Sequence, residues 1–220
     1  ARITFVDGDL VDTPEGKFLL PPRYYEHNLM LNGQWGNHFV CPEKTAPHLG
    51  QKCPICESGD RPSLVALFTV IDHREFTSKD KTKTYKDSVK LFVANSQAFE
   101  ILNKLAQKVG GLAGSTWDVS RAGDKSPRTG NSYFPQGKEL DLNKLRQQYQ
   151  YEKMDPKTNV KTLHTKFEVL DYESEIIFRD GDALRAMGLG KPPVASSTFG
   201  PSSNHGGAQT PTGQDYSQQL

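Results

Sequence analysis

The chain has 220 residues, of which 24% are charged and 35% hydrophobic, with a formal net charge of +1. That length supplies one domain of good size plus appendages. Bulk charge neither favours nor excludes a nucleic-acid partner, no apolar stretch approaches the length of a membrane span, and no signal peptide is visible.

In chain order, Lys17–Leu20 and Tyr24–Leu31 are expected to be extended, broken by Pro21-Pro22. All three cysteines then fall within sixteen positions: His38-Phe39-Val40-Cys41, an eleven-residue gap, and Cys53-Pro54-Ile55-Cys56. Cys-x-x-Cys sets two thiolates on one tight turn, and a further thiolate and imidazole can close a tetrahedron around a soft divalent ion. A disulfide would use only two of the thiols. A redox pair would leave Cys41 and His38 unexplained, and no βαβ context surrounds it. A zinc deaminase needs His-x-Glu and Pro-Cys-x-x-Cys, with the glutamate as proton shuttle. Here Phe39 and Val40 follow His38, and Pro54 lies inside the cysteine pair. The spacing points to a closed structural Zn2+ site with His38, Cys41, Cys53 and Cys56 as ligands. His48 inside the loop and His27 upstream can each stand in for His38. Free thiols at metal spacing suit a reducing cytosol.

Ser63–Asp72 is a β-branched and aromatic run, the strongest strand signal present, and Val89–Ala94 is a second. The polar, lysine-rich Thr77–Thr84 between them predicts a hairpin with a long basic tip. Ser96 is placed as an N-cap with Glu100 nearby, and Phe99, Leu102, Leu105, Ala106 and Val109 follow at helical spacing until Gly110-Gly111. Thr116–Arg121 alternates as a strand, with Trp117 and Val119 on one face and Asp118 and Ser120 on the other. A loop from Ala122 to Gly130 leads to a short strand through Ser132–Phe134. An amphipathic helix near Leu142–Tyr149 and a terminal one near Asp182–Met187 close the domain. From Lys191 onward Pro, Ser, Gly, Thr and Gln dominate, a composition that cannot offset chain entropy by burial, so 191–220 is expected to be a disordered tail. The folded unit is then 1–190, with a zinc subdomain at about 27–60. The fold class expected is mainly β with a few helices (α+β): an OB-fold five-stranded barrel carrying an inserted zinc-binding subdomain.

Positive charge is concentrated in two segments. Residues 74–90 carry a net +3 and residues 104–138 a net +4, against −3 over the first sixty residues. Binding a single strand without sequence preference needs a cationic track for phosphate interleaved with rings for base stacking. Tyr24, Tyr25 and Trp35 beside the metal motif, Phe76 and Tyr85 around Lys79, Lys81, Lys83 and Lys86, and Tyr133 after Arg121, Lys125 and Arg128 provide that interleaving. These are the candidate DNA contacts. Phe68, Phe92, Phe99 and Trp117 are expected in the core.

The run His38-x2-Cys41-x11-Cys53-x2-Cys56-Glu57, the strand Val65–Asp72, the segment Leu112–Arg121 and Gly130–Phe134 together resemble the tailed-phage single-stranded DNA-binding proteins. These are relatives in kind of the helix-destabilising protein of T-even phages. The resemblance covers roughly residues 20–188. It implies an OB fold with a zinc-bearing subdomain, a one-His, three-Cys metal site assigned to His38, Cys41, Cys53 and Cys56, and no catalysis. It further implies binding and protection of single-stranded DNA in phage replication, recombination and repair, in the cytoplasm of a bacterial host. Replication and recombination proteins, and further copies of the chain along DNA, are the implied protein partners; no membrane is. The family's acidic C-terminal tail and basic N-terminal segment are not seen in this sequence.

Two other functions fit parts of the sequence. Asp72, His73 and Glu75 at a strand end could belong to a metal-dependent nuclease, and the cysteine motif alone could belong to a zinc-ribbon module that binds protein.

Overall fold

The computed structural model describes residues 1–120, 132–156 and 158–190 and, within them, all side chains but those at 35, 138 and 139. The expected disordered tail, 191–220, lies outside the described residues. Among the described residues the protein is mainly β with six short to medium α-helices, an α+β arrangement. Strands β1 (Arg2–Phe5), β2 (Leu10–Thr13), β3 (Gly16–Leu19), β4 (Arg23–Leu31) and β5 (Gln34–Val40) come first. One-turn helices α1 (Pro42–Thr45) and α2 (Pro54–Glu57) follow, then the long β6 (Ser63–Asp72). Next are β7 (Phe76–Thr77), β8 (Thr84–Tyr85), β9 (Ser88–Asn95), helix α3 (Ser96–Val109), β10 (Ser115–Ser120) and β11 (Ser132–Glu139). The last elements are α4 (Leu142–Gln148), β12 (Gln150–Met154), β13 (Lys161–Thr165), α5 (Tyr172–Glu175) and α6 (Gly181–Ala186).

β6 organises the molecule. Its sequence is apolar at nearly every position, and from Val65 to Asp72 both faces are buried. One edge pairs with β9 from Val65 to Asp72. The other edge is shared: β4 pairs along Ser63–Ala66 and β1 along Val70–Asp72. β1 continues the sheet to β10 and β11, while β4 continues it to β5, and every pairing in this sheet is antiparallel. Among the described residues the sheet does not close on itself, since β9 and β11 are both edges.

Three apolar clusters follow from this layout. The main core takes one face of the sheet, through Phe5, Phe68, Phe92, Trp117 and Val119, and is capped by Ala98, Leu102 and Ala106 of α3. Those three recur every four residues, the stripe an amphipathic helix buries. α3 is capped by Asn95, whose side chain accepts a hydrogen bond from the Ala98 N–H at 2.8 Å, and it ends at Gly110 in the left-handed region, φ 84°. The cap is thus Asn95 and not Ser96, whose hydroxyl instead donates to the Leu64 carbonyl. A second cluster surrounds the cysteines and includes Leu184 and Leu189 of the C-terminal segment. A small third one, Val6, Ile71 and Phe167, lies on the opposite face of β6. There a polar latch ties α5 to the sheet: Asp7 accepts from the Thr69 N–H at 3.0 Å and from the Tyr172 hydroxyl, which also lies 2.9 Å from Thr69 Oγ1.

Candidate functional site

The three thiols converge because two cysteines play the same local part. Cys41 and Cys53 are each the N-cap of a one-turn helix whose first residue is proline, Pro42 or Pro54. Proline suits that position, where its missing N–H would have been unpaired anyway. Cys56 is carried round by α2 to the same side. Cys41 Sγ stands 3.6 Å from Cys56 Sγ, and both Cys53 Sγ (3.4 Å) and Cys56 Sγ (3.6 Å) face Nε2 of His27. All four donor atoms lie within 4.8 Å of one another. Zinc bonds of about 2.3 Å to sulfur and about 2.0–2.1 Å to nitrogen put tetrahedral donors roughly 3.5–3.8 Å apart. This group could hold a metal ion, and its donor set is compatible with structural zinc.

The histidine brought to the thiols is His27, and His38 is corrected by strand geometry. β4 and β5 form a hairpin through Asn32-Gly33, both with positive φ, and the register pairs His27 with Phe39 and Asn28 with His38. Side chains alternate along a strand and cross-strand partners share a face. His27, Phe39 and Cys41 therefore face the cluster, while His38, three residues before Cys41, falls on the reverse face. There its Nδ1 lies 3.3 Å from Glu26 Oε1, with 42% of the side chain exposed. His48, in a 3-10 turn (Pro47–Leu49), also lies outside the group.

The surroundings fit a ligand set. His27 is fully buried, and its Nδ1 meets the Asp60 carboxylate at 2.5 Å, which orients the ring so that Nε2 faces the thiols. Burial opposes charging of His27, yet its bonds to Cys53 and Asp60 prevail and raise its pKa. Burial likewise opposes ionisation of Cys53, but His27 and the backbone N–H groups of Cys56 and Ile55 bring that thiol down to about 7. Burial pushes Cys41 and Cys56 up. The Cys53 N–H donates to Glu43 at 3.1 Å, which holds the Glu43 carboxyl below its usual range. α6 closes the far side: a Cβ at Gly181 would collide with the Lys52 carbonyl, and one at Gly190 would stand 2.6 Å from Pro54 Cβ. Arg185 adds a 2.8 Å ion pair to Glu57.

The second feature is the β6–β9 hairpin. Phe76 and Tyr85 face each other across β7 and β8, with ring centroids 5.3 Å apart and planes 22° apart, and are 42% and 43% exposed. Lys90 Nζ stands 4.8 Å over the Phe76 ring. At the tip Lys79, Lys81, Lys83 and Lys86 are all exposed; Lys86 pairs with Glu75 at 3.3 Å. The Asp80 carboxylate is occupied by Ser78 and Thr82, which lower it to about 2.

The remaining candidates separate. Tyr24 is half-buried with its hydroxyl on Glu26, and Tyr25 packs on the thiol cluster. Tyr133 is half-buried against the main core, where burial pushes its phenol up, so its ring faces inward; exposed Phe134 follows it. Trp35 belongs to β5, but its side chain lies outside the described residues, as do Arg121, Lys125 and Arg128. The Asp72, His73 and Glu75 group does not converge. Asp72 is buried, and although burial opposes its ionisation, Arg74 and Lys90 hold its carboxyl well below the usual range. His73 is bonded between Thr4 Oγ1 (2.8 Å) and Asp87 Oδ1 (2.7 Å). Among the described residues, the thiol group is the one His/Cys/Asp/Glu set placed to hold a metal.

Comparison of the chain with protein-family models, with curated proteins and with solved structures found no match.

Proposed function

We propose that the chain is a non-catalytic, largely sequence-independent binder of single-stranded DNA, built on an OB-type barrel and stapled by structural zinc. β1, β6 and β9, then α3, then β10 and β11 follow the order of a five-stranded Greek-key barrel with a helix midway. In that assignment β6 and β9 are strands two and three, whose face in OB folds binds oligonucleotides together with the loops joining strands one to two and four to five. The first of those loops holds the thiol cluster. The second holds Arg121, Lys125 and Arg128.

The observation that carries the proposal is the line Tyr85, Phe76, Lys90 at the root of a lysine tip on this hairpin. It sets exposed rings beside phosphate-binding cations, which is the chemistry an unpaired strand requires. A role in phage replication, recombination and repair rests on the resemblance of the cysteine and strand motifs.

Fluorescence anisotropy of labelled oligo-dT with zinc-loaded protein tests it. Binding is expected at micromolar or tighter affinity in low salt and weakens with salt. Replacing Lys79, Lys81 and Lys83 together by alanine lowers the log–log salt slope by about 2, and Phe76→Ala costs about 1–3 kcal/mol. Absence of salt-sensitive binding overturns the proposal.

A further inference from the structure

We infer that the open seam between β9 and β10 is a pocket for a single nucleobase, with an adjoining phosphate held by Arg74 and Lys90; this rests on the single-strand function proposed above. The seam is a cleft of about 420 Å³, within the roughly 300–1,000 Å³ of ordinary small-molecule pockets. Its floor is apolar: Ile3 of β1, Val70 of β6, Phe92 of β9 and Val119 of β10 line it, each a core residue that keeps only 2–9% of its surface exposed. An aromatic ring entering the cleft would therefore rest on hydrocarbon.

The rim has the opposite character. Asp72 binds Arg74 through Nε at 3.0 Å and Nη2 at 2.7 Å, and binds Lys90 Nζ at 2.8 Å. Two cations and one carboxylate leave one positive charge, the complement of a single phosphodiester. Neither cation is used up by the carboxylate. Their side chains are 63% and 41% exposed, and a guanidinium and an ammonium each retain donors beyond those bonds. Asp72 acts as a positioning residue that fixes both cations at the cleft mouth.

One further detail selects a nucleotide over another anion with an apolar body. Lys90 also covers the Phe76 ring. A base in the cleft and a neighbour stacked on the Phe76–Tyr85 pair would flank one ammonium, as consecutive nucleotides flank a phosphate.

NMR of zinc-loaded protein with labelled Ile, Leu and Val methyls, titrated with dT8, dTMP and inorganic phosphate at low salt, tests the pocket. Methyl signals of Ile3, Val70 and Val119 are expected to move with both dT8 and dTMP, while Leu29 and Leu31 beside the cysteines stay still. Lys90→Ala is expected to lower the oligo-dT salt slope by about 0.7. If dT8 shifts the amides of 76–86 but leaves Ile3, Val70 and Val119 unmoved, the pocket is overturned and the proposed function stands. If phosphate alone reproduces the methyl shifts, the base assignment is overturned. If dT8 perturbs no signal, pocket and function fall together.

Discussion

His27 and His38 sit eleven residues apart in sequence and on opposite faces of one hairpin, and the make-up of the candidate metal site turns on that difference. His27→Ala removes a buried donor, so zinc affinity should fall further than the roughly 10–100-fold expected for Asp60→Asn, which only frees the ring to turn. His38→Ala removes a contact with the buried Glu26 carboxylate on the reverse face of the hairpin and should leave zinc content intact. Zinc stoichiometry by elemental analysis, with competition against a chelator, checks all three; zinc loss in the His38 variant with retention in the His27 variant would reverse the assignment. The thiols themselves were legible, since Cys-x-x-Cys carries its own geometry. The histidine was not, because proximity in sequence pointed to His38. One local signal favoured the other choice: in a strand three positions is an odd step, which turns His38 away from Cys41. The two-residue turn at Asn32-Gly33 alone would set residue 27 opposite residue 38, and only a register shift between Leu29 and Leu31 sets it opposite residue 39.

At the scale of elements, the patterns that announced themselves were those with one dominant period. Ser63–Asp72 emerged with the boundaries expected of it, and α3 was misplaced only in its cap, where Asn95 competes successfully with Ser96. β1, β2 and β5 were not read from sequence. Arg2–Phe5 is too short to show alternation, and its burial depends on being flanked by β6 and β10. The latch on the far face of β6 was equally invisible, because Asp7 and Tyr172 are 165 residues apart. Burial raises the pKa of Asp7 against the hydrogen bonds that support its charge. Tyr172→Phe should therefore lower stability by about 1–3 kcal/mol, the cost of a buried acceptor losing its donor, as read from urea unfolding. A change below about 0.5 kcal/mol would mean that α5 is not held by this contact.

The whole molecule contains two main cores with different sources of stability. Phe5, Phe68, Trp117 and their neighbours form an apolar core of ordinary kind, whereas the cluster of Phe39, Ile55, Leu184 and Leu189 is small and built around the thiols and His27. Zinc held by that group would contribute to the folding of so small a core. Chelation should accelerate amide hydrogen exchange in β4, β5, α2 and α6 while α3 and β10 keep their protection. Uniform loss of protection would show instead that the two cores unfold as one. α6 belongs to this response although it lies 125 residues after Cys56, because Gly181 and Gly190 let the segment 181–190 close against Lys52 and Pro54.

The shared edge of β6 has a consequence for what changes the gene can accept. One strand sets the register of two others: its first half pairs with β4 of the hairpin that carries His27, and its second half pairs with β1. Loss of a single residue inside it would put its two halves out of step, so that β4 and β1 could not both keep their pairing, with no loop between them to absorb the error. Added residues would instead be absorbed at the far end of the same hairpin, where residues 78–83 connect two-residue strands over exposed lysines. The element least tolerant of insertion and the segment most tolerant of it are thus neighbours in the chain, and the surface proposed to meet DNA can be resized without disturbing the frame that holds it.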